Sequence, residues 1–391
     1  MPGRSSDMAG MLQRGLRTAG AWANVPLYHA QFPKRRNADR PLRRVGIFKA
    51  DGLGDFILAV GAIHEIVRRH GAENCILITS PIAREFARFE FPDVELAVVK
   101  PFSGRLWKTR GILRELSATP LFQQGVEDLI SLRHHRYLHQ DLLLASIPCR
   151  RSFGLQNPPN AFDREWARSR LVFDRQRNWP NSARPGWCLD LECHQALLEI
   201  LPDAVSNPEA AVPKLAVNPG LPREPWAGVA PYGSHGLKDL PLPMLAELGR
   251  HLAARHQLSF RLLSAPSQLE RLTADAATLR GLGVPEVEVM LTPTMADLVQ
   301  AVHRTRLLVS TDTGTAHLGG AADAPMIAFI GGAHHGIFAP WVRSDRQRWL
   351  DHRLPCYGCN WQCIHPRALC ITDIPTVEVL QAADKVLATQ A

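Results

Sequence analysis

Residues 45–58 read Val45-Gly46-Ile47-Phe48-Lys49-Ala50-Asp51-Gly52-Leu53-Gly54-Asp55-Phe56-Ile57-Leu58. A short apolar run gives way to a turn with two glycines, and the turn opens an apolar helix. That order is the first β-strand-to-helix junction of a parallel α/β sheet. Glycine lets backbone come close to a bound group there, while the helix N-terminus offers unpaired N–H donors and a partial positive charge. Position 57 is Ile, so the third glycine of the G-x-G-x-x-G dinucleotide fingerprint is absent and a nicotinamide dehydrogenase is disfavoured.

The alternation continues outward from this turn. Strands are predicted at 45–48, 75–79, 95–99 and 126–132, with helices at 55–70, 81–89 and 105–116 between them. A second series starts at 226. Its strands are 226–230, 259–264, 286–290, 307–310 and 326–330, and its helices are 242–256, 268–279, 295–302 and 315–322. Two Rossmann-like halves follow, with an amphipathic closing helix over 374–391. The Pro-, Asn- and Trp-rich stretch 157–225 has weak periodicity and one helix at 189–201. The expected division is a basic arm (1–42), a first Rossmann-like domain (43–205), a linker (206–225) and a second Rossmann-like domain (226–391).

Bulk properties bound the function. A chain of 391 residues is too long for one ordinary core, and 46% hydrophobic residues are enough to pack two. The net charge of +8 does not indicate a nucleic-acid binder. Through Arg44 the chain holds nine basic and two acidic residues, so +7 of the total lies in the first 44 residues and the rest of the chain is nearly neutral. Arg14 and Arg17 interrupt the only mildly apolar N-terminal stretch, which argues against a signal peptide, and no run is apolar enough to span a bilayer. The arm reads either as a basic leader or as a segment resting on anionic lipid through Leu12, Leu16, Trp22 and Leu27. The location expected is the cytoplasm, with peripheral contact at the inner membrane face under the second reading.

A second glycine-bearing junction reads Ser310-Thr311-Asp312-Thr313-Gly314-Thr315-Ala316-His317. It again joins a buried strand to a helix, and its hydroxyls and first-turn amides form an anion cradle. After the first strand of the second half comes Ser234-His235-Gly236-Leu237-Lys238, whose lysine could pair with a diphosphate. Asp55 and Asp312 each have a plainer reading as a helix N-cap. Lys238 has one as a solvated loop lysine.

Taken in order, Lys49 to Asp55, Ser234 to Lys238, Asp312-Thr313-Gly314 with His317, and the C-terminal cysteines resemble glycosyltransferase family 9, the ADP-heptose:lipopolysaccharide heptosyltransferases. The resemblance covers roughly residues 43–391. It implies a GT-B fold, two Rossmann-like domains facing across a cleft, with a nucleotide-sugar of the ADP-heptose kind held by the second domain and a lipid-linked glycan acceptor held by the first. Position by position, Asp55 matches the family's general base and Lys49 its nearby lysine. Ser234, Lys238, Asp312, Thr313, Gly314, Thr315 and His317 fall on the donor side.

Such a reaction suits these residue types. The acceptor hydroxyl loses a proton as it attacks the anomeric carbon, and the departing diphosphate gains charge that fixed cations and helix-terminal donors stabilise. No Asp-x-Asp occurs in the chain, so metal-independent inversion is predicted and no catalytic cofactor is required. A nucleotide-sugar epimerase or hydrolase, or an inactive glycan-binding homologue, would reuse the same turns. The chain departs from the family pattern at Ser131-Leu132-Arg133-His134-His135-Arg136 and at Gly331-Gly332-Ala333-His334-His335. Gly54, Arg133, His134 and Arg136 are the acceptor-side candidates, the basic cluster also having a reading as exposed loop charge. Cys356, Cys359, Cys363 and Cys370 are spaced tightly enough for a structural zinc site, with free or paired thiols the other reading.

Overall fold

The computed structural model describes residues 41–100, 106–133, 138–156, 173–180, 182–202, 207–216, 220–233 and 235–390. The basic arm up to residue 40 therefore lies outside the described residues.

Two six-stranded sheets, every neighbouring pair parallel, organise the chain. The first contains β1 (Arg43–Lys49), β2 (Cys75–Thr79), β3 (Glu95–Val98), β4 (Val126–Ser131), β5 (Cys149–Gln156) and β6 (Arg175–Asn178) in the order β3-β2-β1-β4-β5-β6. The second contains β7 (Glu224–Ala230), β8 (Ser259–Ser264), β9 (Val287–Leu291), β10 (Thr305–Thr311), β11 (Met326–Phe329) and β12 (Gln347–Leu350) in the order β12-β11-β10-β7-β8-β9. Both orders are the doubly wound one. In each, strand order reverses between the first and fourth strands, and ligands of such sheets bind outside the carboxyl ends at that point.

The helices of the first half are α1 (Leu53–Leu58), α2 (Val60–His70), α3 (Arg84–Glu90), α4 (Leu106–Ser117), α5 (Pro120–Gln124), α6 (Leu138–Ser146) and α7 (Leu189–Leu198). Those of the second are α8 (Leu242–His256), α9 (Leu269–Gly281), α10 (Met295–Arg304), α11 (Gly314–Ala321), α12 (Leu369–Thr372) and α13 (Thr376–Ala388). Leu245, Leu248 and Leu252 of α8 share one buried cluster with Val229, Phe260, Leu262, Val309 and Phe329 of the sheet and Val379, Ala383 and Val386 of α13. Apolar burial of this kind, about 1.5–3 kcal/mol per large side chain, is what holds a crossover helix on its sheet.

The chain divides into two compact units, which do not follow the domain limits expected from sequence. Among the described residues, one holds those within 41–52, 63–179 and 196–207; the other holds those within 53–62, 180–195 and 208–390. Local packing accounts for the exchange. A β-carbon on Gly61 would meet the carbonyl oxygens of Ala211 and Val212, and the Leu189 and Asp190 amides donate to the carbonyls of Gly336 and Ile337 at 2.9 Å each. The helix predicted over 55–70 is correspondingly broken at Ala59, whose N–H bonds to Phe56 O at 3.0 Å, and the short α1 belongs to the second unit.

Three strands had no signal in the sequence pattern. β5 begins Cys149-Arg150-Arg151, and Arg151 is held by a bidentate cross-strand pair to Asp128 (2.6 and 2.7 Å). β6 is an exposed edge with no apolar residue, and β12 is only partly buried.

Gly125 precedes β4 with φ +74, and a β-carbon there would overlap the Pro148 carbonyl oxygen. Gly125→Ala is expected to cost about 2–4 kcal/mol in urea denaturation. Gly111→Ala, in open space on α4, should be neutral or stabilise by up to about 1 kcal/mol.

Candidate functional site

In the second unit the β7 and β10 loops meet at the switch point. Lys238, on the loop after β7, sends its ammonium to the Asp312 carbonyl (2.8 Å) and to Asp312 Oδ2 (3.4 Å). His317, in the first turns of α11, places Nε2 3.4 Å from Asp312 Oδ1. Trp341 fixes the histidine's tautomer. Its indole N–H, which can only donate, points at His317 Nδ1 at 3.1 Å, so the imidazole proton sits on Nε2 and faces the carboxylate. Burial alone would raise the Asp312 pKa, but the hydrogen bond from His317 and the charge of Lys238 outweigh it and hold the carboxyl at about 2.

Asp312 is therefore not the cap of α11. The N-cap position is Thr313, in extended conformation and with no side-chain cap bond; its hydroxyl donates to Thr311 O instead. Asp312 is 5% exposed and acts as the acceptor that locks Lys238 and His317 beside the free amides of the α11 N-terminus. Thr315 is half-buried in that first turn.

Asp55 is the third residue of α1, inside the first turn, so it too is not an N-cap. What brings α1 to the Asp312 turn is the absence of two side chains. A β-carbon on Gly54 would lie 3.0 Å from His317 Cδ2, and one on Gly314 would lie 3.1 Å from Leu53 Cδ2. The glycines at the two junctions are used for mutual approach, and Asp55 is the residue next to the contact.

An aromatic wall, which sequence reasoning missed, completes this side. The Trp361 ring centroid is 4.8 Å from Lys238 Nζ, with His235 stacked at 5.8 Å and His334 edge-on at 6.0 Å. Asn360 (φ 48) and Trp361 (φ 61) both have left-handed backbone, an outlier for so bulky a residue as tryptophan. The Asn360 Oδ1 to His334 Nε2 contact (2.8 Å) ties this bend to the loop after β11. Gly331 and Gly332 belong to that loop; β-carbons there would press on Trp361 and Tyr357. The only sequence signal was the family departure at 331–335, which carried no aromatic partner.

Trp361 lies within the cysteine segment. The four cysteines are free and half-buried, and burial pushes the Cys370 thiol up while its Sγ accepts the Gly332 N–H at 3.4 Å. Among the described residues no three of the four sulfurs lie within 4.8 Å of one another.

In the first unit, Lys49 ends β1 and Arg133 lies two residues beyond the adjacent strand β4. Both are buried, and Asp51 is their shared partner: Oδ2 is 3.5 Å from Lys49 Nζ, while Oδ1 is 3.3 Å from both Arg133 Nε and Gln140 Nε2. Asp141 faces Arg133 Nη1 at 4.0 Å, and the Asp51 carbonyl accepts Ser80 Oγ at 2.6 Å. Arg133 is 3% exposed, so it is a buried ion-pair member and not exposed loop charge. Ser234, His134 and Arg136 lie outside the described residues.

The model of glycosyltransferase family 9 (heptosyltransferase) matches residues 201–365, the segment that contains Lys238, Asp312, His317 and Trp361. This segment carries the glycosyltransferase family 9 pattern. The fold of the chain is similar to that of E. coli ADP-heptose lps heptosyltransferase II (17% identity, TM-score 0.62), covering 89% of this chain and 99% of that one. It is also similar to the family 9 glycosyl transferase of Veillonella parvula DSM 2008 (16%, TM-score 0.61; 90% and 99% covered). A third likeness is to E. coli heptosyltransferase WaaC with ADP (18%, TM-score 0.60; 88% and 99% covered). No curated protein sequence matches the chain. At these identities the structural likenesses establish the fold: two parallel doubly wound sheets of the GT-B kind. Among the described residues no helix is long and apolar enough to cross a membrane.

The Asp312 pKa gives a signed prediction. A carboxyl held at about 2 against an ordinary 3.8 contributes about 2 kcal/mol, complete above pH 3.8 and lost as pH falls through 2. Asp312→Asn should remove at least about that much stability at neutral pH and flatten the decline of stability between pH 4 and pH 2; a decline as steep as wild type would contradict the assignment.

Proposed function

We propose that this protein is a family 9 glycosyltransferase, inverting and metal-independent, that moves a heptose-like sugar from a nucleotide diphosphate to a lipid-linked cell-envelope glycan. The observation that carries the reading is the contact of the α1 start with the Asp312 turn, which sets a carboxylate, Asp55, beside a cationic helix terminus. One junction supplies a base; the other supplies a seat for the leaving group.

In this mechanism Asp55 takes the proton of the acceptor hydroxyl as the oxygen attacks the anomeric carbon from the face opposite the diphosphate. The glycosidic bond to phosphate breaks, and its electrons and negative charge pass to the nucleotide diphosphate. Lys238 and the amides at the α11 N-terminus stabilise that charge, and because Asp312 and His317 already hold them in place, little reorganisation accompanies bond cleavage. Asp312 stays anionic throughout and serves to position Lys238. Trp361 walls the lysine from the other side and shields it from water. Arg133 and Lys49, both tied to Asp51, shape the turn that precedes α1, and Arg133 acts through that network instead of reaching out to a phosphate.

The solved structures of similar fold support a donor of the ADP-heptose class. WaaC has been obtained with ADP and with ADP-2-deoxy-2-fluoro heptose, so ADP-heptose is the first donor to try here. The test follows nucleotide release from ADP-heptose with and without a deacylated lipopolysaccharide core. Release should depend on acceptor. Asp55→Asn should lower kcat by roughly 10²- to 10⁴-fold with donor KM little changed, whereas Lys238→Ala should raise donor KM as well as lower kcat. Full turnover by Asp55→Asn, or sugar isomerisation with donor alone, would overturn the proposal.

A further inference from the structure

Away from these loops, the second unit carries a cluster that the proposed chemistry does not use. His251 and His256 lie on α8, His256 as its last residue, and Asp384 lies on α13. The Nε2 atoms of both imidazoles approach a single oxygen, Asp384 Oδ1, at 2.7 and 2.6 Å. All three atoms fall within 4.8 Å of one another, the only such group of three among the described residues.

Several features distinguish this cluster from a simple helix-to-helix hydrogen bond. Five residues apart, His251 and His256 are not neighbours on one face of a regular helix. They converge because α8 ends at His256, followed by Gln257 in left-handed conformation. Both present the distal ring nitrogen, the one free to take up a ligand role. The second carboxylate oxygen, Oδ2, is occupied by Arg255 Nη1 at 3.3 Å, which turns Oδ1 toward the imidazoles. Metal-binding carboxylates are commonly oriented by such an outer partner. The three side chains are between a fifth and a quarter exposed, so an ion can enter and water can fill the remaining positions.

We propose that His251, His256 and Asp384 form a two-histidine, one-carboxylate site for a divalent transition metal that fastens α13 to α8. The donor set of two imidazole nitrogens and one oxygen suits zinc, cobalt or nickel and is too nitrogen-rich for magnesium or calcium. Ligand bonds near 2.0–2.2 Å require the ligand atoms to stand about 3.3 Å apart, so the group has to open by roughly half an ångström on loading. Rotation of the two imidazoles supplies that without moving either helix. The ion would replace the two imidazole–carboxylate hydrogen bonds with three coordinate bonds, each neutral imidazole then carrying its proton on Nδ1, and because it binds the folded chain it stabilises it by mass action.

Cobalt(II) is the probe of choice because its spectrum separates this site from the cysteines: nitrogen and oxygen ligation gives d–d bands without the intense near-ultraviolet charge transfer of thiolates. The full-length protein is titrated with Co²⁺ and its thermal unfolding followed in parallel. The expected result is one ion bound with a thiolate-free spectrum and a Tm that rises with Co²⁺. His251→Gln and His256→Gln retain an amide that can bond to Asp384, so each should keep its metal-free Tm yet lose Co²⁺ affinity by roughly tenfold or more. Cys363→Ser should bind as wild type. The proposal is overturned if no Co²⁺ binds, if the only bound form shows thiolate charge transfer, or if both glutamine variants bind as tightly as wild type.

Discussion

Two missing β-carbons decide where the chemistry of this protein can sit. Gly54 and Gly314 each open a helix at the carboxyl end of a strand, and each leaves room for the other's helix: Gly54 for the His317 ring, Gly314 for the Leu53 side chain. At 3.0–3.1 Å the clearances are tighter than ordinary packing tolerates, so even a methyl group at either position would have to displace a neighbour. His317 has little freedom to yield, being held by Trp341 on one ring nitrogen and Asp312 on the other. The approach of α1 to α11 thus ties the position of Asp55 to the electrostatics of the Asp312 turn.

The same device appears at both switch points. In the second sheet an aspartate just after β10 holds a lysine from the loop after β7; in the first an aspartate after β1 holds an arginine just after β4 and the lysine that ends β1. Pairs buried to this degree are not efficient sources of stability, because desolvation offsets much of the attraction, but removing one partner strands the other and is costly. Their use here is geometric. They fix loops that β-pairing alone would leave free, on the one edge of each sheet where a ligand can approach.

The alternating pattern was strong enough to reveal both sheets, their junctions and α8 and β8 to the residue, because buried parallel strands and crossover helices write their periods plainly. Elements held by specific polar pairs were not legible. β5 depends on Arg151 meeting Asp128 two strands' worth of sequence away, and β6 has no apolar residue at all. At the site, Lys49, Lys238, Asp312 and His317 could be singled out from their turns, yet spacing favoured caps for Asp55 and Asp312, and only the structure shows Thr313 in the cap position and Asp55 inside the helix. Asp51 passed unnoticed as one more turn aspartate, and Trp361 was hidden among cysteines whose spacing suggested zinc. Contacts between residues more than a hundred positions apart, such as Trp361 with Lys238, leave no periodic trace.

Amide hydrogen exchange with and without ADP tests the coupling of the two junctions most directly. If the α1 start packs on the Asp312 turn as a coupled pair, ADP seated at that turn slows exchange at residues 53–58 together with 313–317. Protection confined to 313–317, with 53–58 exchanging as in the free protein, would contradict the account.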